Sequence, residues 1–292
     1  MAKAKAARSD CPVPAGSLLI IGGAENKGEE KAKKKHTPSD FERFEILKDF
    51  IKLTGKKEPR IEVVTSASGE GKESFEDYRG AFAELGLRTV GHLHHNSRKE
   101  VLDDESLPER IDNLDAIFLA GGDQLKYTSL YGGTDFLTRL KERYIQEPIV
   151  VAGTSAGAMA MSTPMIYAGN DEVQELGGMI KVTTGLEFLK DVCIDTHFVH
   201  RGRIVRMAQV VVTNPSCIGI GIEEDTGMIV RNGVEGQVVG TGTVIVLEGF
   251  GISEANIDEF TSEKPITIRN LMMHILSAGD TYSIPRRNPP HV

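Results

Sequence analysis

"PIVVAGTSAGAMAMS", Pro148 to Ser162, is the stretch on which the fold turns. Its first half, IVVAG, is an uncharged, β-branched run of the kind that fills a strand buried on both faces. Its second half, AGAMAMS, is built from helix-forming residues. Between them Gly153 and Gly157 bracket Ser155 in the spacing G-x-S-x-G. A strand that breaks into a helix through one tight turn lifts the turn residue clear of the backbone, so a serine there presents its hydroxyl at the edge of the sheet. The motif alone is weak, and a glycine-tolerant turn is the plain alternative in a chain with 31 glycines.

The same grammar occurs three more times: SLLIIGG (Ser17–Gly23), RIEVVTSAS (Arg60–Ser68) and DAIFLAGGDQ (Asp115–Gln124) each run from apolar residues into small polar ones. Helical periodicity predicts helices over Phe41–Leu53, Glu76–Leu85 and Thr134–Tyr144 between these runs. Buried runs alternating with amphipathic helices specify a mainly parallel sheet flanked by helices. In such sheets ligands sit beyond the carboxyl ends of the strands, where all four runs place their polar residues. From Gly219 onward the chain turns to Val, Ile and Gly around an Arg231-Asn232-Gly233 turn, which reads as antiparallel strands extending the same sheet.

The 292 residues form one α/β domain by this reading, with residues 1–15 as a flexible tail and the charged Lys27–His36 stretch as a solvated loop. A formal net charge of -8 argues against nucleic-acid or anionic-membrane partners, and no apolar run is long enough to span a bilayer. Cys11, Cys193 and Cys217 show neither disulfide nor zinc spacing, so a reduced, cytoplasmic protein is expected. The His92, His94, His95 cluster reads as a polar strand end before a metal site.

A serine hydroxyl needs a base, and the base needs an orienting acid. His197, three residues beyond the apolar run Val192–Ile194, sits where the other polar strand ends are; His200 would already lie in the next helix. Asp171, Glu172 and Glu175 offer carboxylates in one polar loop, and spacing does not choose among them. Ala156, following the nucleophile, and the Gly121–Gly122 turn are candidate oxyanion donors through their backbone N–H groups. Arg201, Arg203 and Arg206 crowd the segment after His197, with Asp195 just before it. This mixture suits a substrate bearing carboxylates and a cationic group, with Asp195 either pairing an arginine or gripping the cation.

IGGAENK (Ile21–Lys27), VVTSAS (Val63–Ser68), LAGGDQLKY (Leu119–Tyr127), AGTSAGAMAMS (Ala152–Ser162), IDTHFVHRGRIVRM (Ile194–Met207) and GIGIEEDT (Gly219–Thr226) together resemble the cyanophycinase family of serine peptidases, relatives of aspartyl dipeptidase E. The resemblance implies a flavodoxin-like three-layer core akin to class I glutamine amidotransferases, with an antiparallel C-terminal extension. It implies a homodimer that needs no metal or organic cofactor and cleaves cyanophycin, a poly-aspartate backbone with arginine on each β-carboxyl, to β-Asp-Arg dipeptides. By position it assigns Ser155 as nucleophile, His197 as base and Glu172 as acid, with Asp171 the alternative. Gly122 and Ala156 serve the oxyanion, and Gln124, Asp195, Thr196, Arg201, Arg203 and Arg206 fall on substrate-pocket positions. Thr196 departs from the glutamine that the family often carries between the Asp and His of this motif. A same-fold aspartyl dipeptidase and a non-catalytic binding homologue are the competing functions.

Overall fold

The computed structural model describes residues 12–27, 44–168, 180–257 and 266–285. The first half alternates strand and helix: β1 (Ser17–Ile21), α1 (Glu45–Leu53), β2 (Ile61–Val64), α2 (Gly71–Glu84), β3 (Gly91–Leu93), α3 (Arg98–Asp103), α4 (Leu107–Asn113), β4 (Ala116–Leu119), α5 (Gln124–Tyr131), α6 (Asp135–Gln146), β5 (Val150–Thr154) and α7 (Ala156–Ala160). The second half is mostly strand. It comprises β6 (Ser162–Thr163), β7 (Met165–Ala168), β8 (Lys181–Thr183), β9 (Leu189–Lys190), β10 (Val192–Thr196), α8 (Ile204–Thr213), β11 (Ile218–Ile222), β12 (Thr226–Arg231) and β13 (Glu235–Gly240). It ends with β14 (Val244–Glu248), β15 (Glu254–Ala255), β16 (Ile268–Arg269), β17 (Met272–Leu276) and β18 (Thr281–Ser283).

All four predicted strands form, and they are neighbours. The main sheet has the order β18-β13-β12-β1-β5-β4-β2-β3, and its pairs from β1 through β5, β4 and β2 to β3 are parallel. Both faces are buried, which is why the runs show no polar alternation. Leu19, Ile21, Val63, Phe118 and Ala152 meet Phe50 of α1 and Tyr78 and Phe82 of α2, while Leu18, Ile20, Val64, Leu119 and Val151 point the other way.

The C-terminal third divides between two sheets instead of simply extending one. β12, β13 and β18 continue the main sheet antiparallel, and the Asn232–Gly233 turn joins the first two as expected. β10, β11, β14 and β17 belong to a second, six-stranded sheet ordered β17-β14-β11-β10-β6-β9. One face of this sheet shares the core of the main sheet through Ile194, Ile220 and Val246. Cys193, Ile245 and Leu247 on the other face pack with Met207 and Val211 of α8. Both faces are apolar, so the residue pattern carries no mark of which sheet a strand joins.

The proposed tail, residues 1–15, and the Lys27–His36 loop fall largely outside the described residues; Ala15, which is described, donates its N–H to the Ile145 carbonyl at 3.0 Å. The histidine cluster ends β3 and is tied up in hydrogen bonds. His92 Nε2 and His94 Nδ1 both meet Thr65 Oγ1, at 2.8 and 3.0 Å, and His95 bridges the Tyr131 hydroxyl and the Asp104 carboxylate.

Candidate active site

Ser155 stands between β5 and α7 with φ 50° and ψ -117°, a backbone conformation that L-residues adopt at a cost of about 1–3 kcal/mol. The flanking glycines make the turn sterically feasible. A Cβ on Gly157 would lie 2.1 Å from the Leu119 carbonyl oxygen, and one on Gly153 would lie 2.6 Å from the Gly157 carbonyl carbon. The glycine-bracketed turn is therefore an elbow, as the spacing predicts.

His197 follows β10 of the second sheet, and its Nε2 lies 3.1 Å from Ser155 Oγ. The carboxyl end of β1 sets that distance. The Ser155 N–H donates to the Ile21 carbonyl at 3.0 Å, and the His197 N–H donates to the Gly22 carbonyl at 2.9 Å. Two consecutive carbonyls thus hold Ser155 of one sheet and His197 of the other. Gly23, at φ +101°, completes the fit: a Cβ there would stand 2.4 Å from His197 Cε1. His200 lies in the turn before α8 and not in the helix, and Ser155 Oγ meets the ring of His197.

The other imidazole nitrogen, Nδ1, is 2.6 Å from Oε1 of Glu224. Glu224 belongs to GIGIEEDT, two residues beyond β11, and β11 runs parallel to β10 with Ile222 opposite Thr196. Parallel strands in register deliver the residues just beyond their ends to one place, so His197 and Glu224 emerge side by side. Partial burial pushes the Glu224 carboxyl up. The hydrogen bond and charge of His197, aided by His200 and Arg201, outweigh this and hold it below the ordinary carboxylate value. The loop acids Asp171, Glu172 and Glu175 lie outside the described residues. With Glu224 as partner the chain order is Ser, His, Glu. A usable signal existed, since Glu223-Glu224 is a polar ending to an apolar run, the same criterion that singles out Ser155 and His197.

A second residue that pattern reading passes over is Glu25. Its carboxylate is only 5% exposed and accepts from the Tyr78 hydroxyl and, at 2.5 Å, from Thr154 Oγ1, pinning the residue before Ser155. The same segment fastens the stretch that carries Glu224, because the Asp225 N–H donates to the Gly23 carbonyl and the Asn26 N–H to Asp225 Oδ1.

Of the expected oxyanion donors, Ala156 directly follows Ser155 and Gly122 follows Gly121 in the turn after β4. Ala156 opens α7, and Gly121 is close enough that a Cβ on it would contact Ser155 Cβ at 3.5 Å. Gly122, at φ +139°, allows the turn to pass against the Ala67 carbonyl, where a Cβ would clash at 2.3 Å. Gln124 is half-buried, and its side-chain amide donates to the Ile166 carbonyl at 2.9 Å.

The arginine cluster divides into two parts. Arg201 is exposed beside Glu224, whereas Arg203 and Arg206 are buried around Asp195, itself 0% exposed. Arg206 grips Asp195 in a fork, Nε to Oδ2 at 2.7 Å and Nη2 to Oδ1 at 2.6 Å, and Arg203 Nη1 reaches Oδ1 at 3.0 Å. Of the two roles open to Asp195, the structure places it with the protein's own arginines. Thr196 is 1% exposed, its carbonyl accepts from Arg203 Nη1, and its hydroxyl meets no partner among the described residues.

The sequence profile of peptidase family S51 matches residues 18–237, most of the chain and all of this constellation. The chain belongs to peptidase family S51. It is a serine hydrolase of that family. This S51 peptidase is 31% identical to the cyanophycinase of Geminocystis herdmanii, over 94% of this chain and 95% of that one. It is 30% identical to that of a Nostoc species over 93% and 86% of the two chains. A crystal structure of a peptidase from an acI-B1 Actinobacterium shares its fold, with a TM-score of 0.62 at 20% identity, covering 94% of this chain and 98% of that one.

Proposed function

We propose that this S51 peptidase hydrolyses cyanophycin to β-Asp-Arg dipeptides through an acyl-enzyme on Ser155. The observation that carries the chemistry is the chain of contacts from Ser155 Oγ to His197 Nε2 and from His197 Nδ1 to Glu224. His197 takes the hydroxyl proton at Nε2 as Ser155 attacks the scissile backbone carbonyl, and Glu224 stabilises the imidazolium while holding the ring in place. Backbone N–H groups of Ala156 and Gly122 receive the oxyanion. His197 then protonates the leaving amine, and a water activated by the same imidazole releases the aspartyl product.

The substrate rests on similarity to the cyanophycinases along nearly the whole chain. A polymer of aspartate backbone and arginine side groups suits the exposed Arg201 and the half-buried Gln124. Asp195 acts in this scheme by orienting Arg203 and Arg206. We further propose a homodimer, for which the apolar outer edge of β17 argues, with Met272, Met273 and Ile275 about half exposed; light scattering that reads a single chain would remove it.

The test is incubation of the purified protein with insoluble cyanophycin and mass spectrometry of the soluble fraction, with Ser155→Ala alongside. β-Asp-Arg from the wild type only is expected, with turnover in Ser155→Ala lowered about 10⁴-fold or more. No product from a folded wild-type enzyme that cleaves Asp-X dipeptides would overturn the polymer assignment and leave a dipeptidase.

A further inference from the structure

Two groups beside the triad take no part in the acyl-transfer chemistry. His200 is exposed, and Glu223 lies next to the catalytic acid. One ligand atom from each of His200, Glu223 and Glu224 falls within 4.8 Å of the other two. From this juxtaposition we propose that the three side chains form an inhibitory binding site for a divalent transition metal, zinc in particular. Binding shares the negative charge of Glu224 between His197 and the ion; the inhibitory consequence rests on Glu224 being the acid of the triad, whereas the binding itself does not.

The carboxylates are fixed before any ion arrives. Glu223 Oε2 accepts the N–H groups of Val199 and His200, at 2.5 and 3.0 Å, which ties it to the very turn that carries the third ligand. Glu224 is held by His197 Nδ1 through Oε1, and its other oxygen makes it a bridging carboxylate when a cation binds. In a tetrahedral zinc site with bonds of about 2.0–2.2 Å the ligand atoms stand about 3.4 Å apart. The cluster must therefore close by little more than an ångström, and His200, exposed on its turn, can supply that by rotation about its side-chain bonds.

The donor set selects the ion. One imidazole nitrogen and two carboxylate oxygens, with water in a fourth position, is a three-ligand set of the kind that holds zinc. Magnesium and calcium are hard cations that take oxygen ligands, and an imidazole nitrogen suits zinc better than either. The local charge is favourable, since the two carboxylates outweigh the single guanidinium of Arg201 nearby. A dication at this position draws negative charge from Glu224 and places positive charge close to His197, which opposes the imidazolium that must form during acyl transfer.

Zinc chloride titrated into the substrate-free enzyme by calorimetry reads binding, and initial rates across the same zinc range read inhibition. His200→Ala is the diagnostic variant, because His200 makes no contact with Ser155 or His197 in the proposed mechanism. The wild type is expected to bind one zinc ion, to lose activity, and to recover it with a chelator, while millimolar magnesium has no effect. His200→Ala is expected to keep its metal-free rate within about twofold and to need at least ~10-fold more zinc for half inhibition, the loss expected when a ligand is removed. Absence of zinc heat in the wild type, or an unchanged half-inhibition point in His200→Ala, would overturn the site. One ion bound in a His200-dependent way with turnover untouched would leave the site standing and overturn both the inhibition and the role of Glu224.

Discussion

Replacing Glu224 by glutamine removes one charge and almost no volume, and it is the sharpest way to ask which acid serves His197. The glutamine carbonyl can still accept the Nδ1 hydrogen, so the tautomer is retained and the loss reports on charge. Nδ1 and Oε1 are 2.6 Å apart, which puts the centres of the two charges about 4 Å apart. At an effective dielectric of about 20 the attraction is about 4 kcal/mol, or three decades in rate if it is felt only when the imidazolium forms. A third of the Glu224 side chain is exposed, so water screens part of this, and a fall of roughly 10²–10³ in kcat is expected. The rate of labelling by a fluorophosphonate probe measures nucleophile activation whatever the natural substrate, and it should fall by a similar factor. Glu172→Gln serves as the opposing variant and should label at the wild-type rate. Normal labelling in Glu224→Gln combined with a large loss in Glu172→Gln would refute the geometric assignment and restore Glu172 as the acid.

Gly23→Ala should lower kcat by about 10²-fold without unfolding the protein, because the new methyl occupies the space of the His197 ring; crystallography or thermal melting separates this from collapse. Asp195→Asn leaves the two buried guanidinium groups poorly matched, and should cost about 3–5 kcal/mol, roughly 10 °C in Tm, by denaturant and thermal unfolding. A change below 1 kcal/mol would mean that solvent or another group compensates those charges. Stability should also depend on pH through Glu224. The folded Glu224 carboxyl titrates below its ordinary value of 4.5, so the unfolded chain binds the proton more readily, and the stability its pairing contributes is complete above about pH 4.5 and lost as pH falls through the lower, folded value. The Tm difference between wild type and Glu224→Gln should therefore be flat at neutral pH and shrink below 4.5; a difference that grows with acid would reverse the sign of the shift.

Where a property is local, the sequence already contains it. Strand β5, the glycines that a Cβ could not replace and the serine between them are all legible in Pro148–Ser162, because the clashes that demand glycine arise where that one turn meets its own neighbours. His197 is legible for a related reason: a polar residue ending an apolar run lands at the carboxyl edge of a parallel sheet wherever the run is placed. The carboxylate that meets His197 is different. Glu224 lies 27 residues from His197 along the chain; its place after an apolar run makes it a candidate, but no local pattern shows that it meets His197. Only the in-register parallel pairing of β10 with β11 makes it a neighbour. Asp195 shows the same limit, since a carboxylate flanked by arginines in sequence suits a substrate cation and an internal pair equally well, and complete burial decides for the pair. The second sheet was invisible for a third reason, that strands buried on both faces look alike whichever sheet receives them. Composition and periodicity act through each residue's own surroundings, whereas register, burial and sheet membership exist only once distant segments have met.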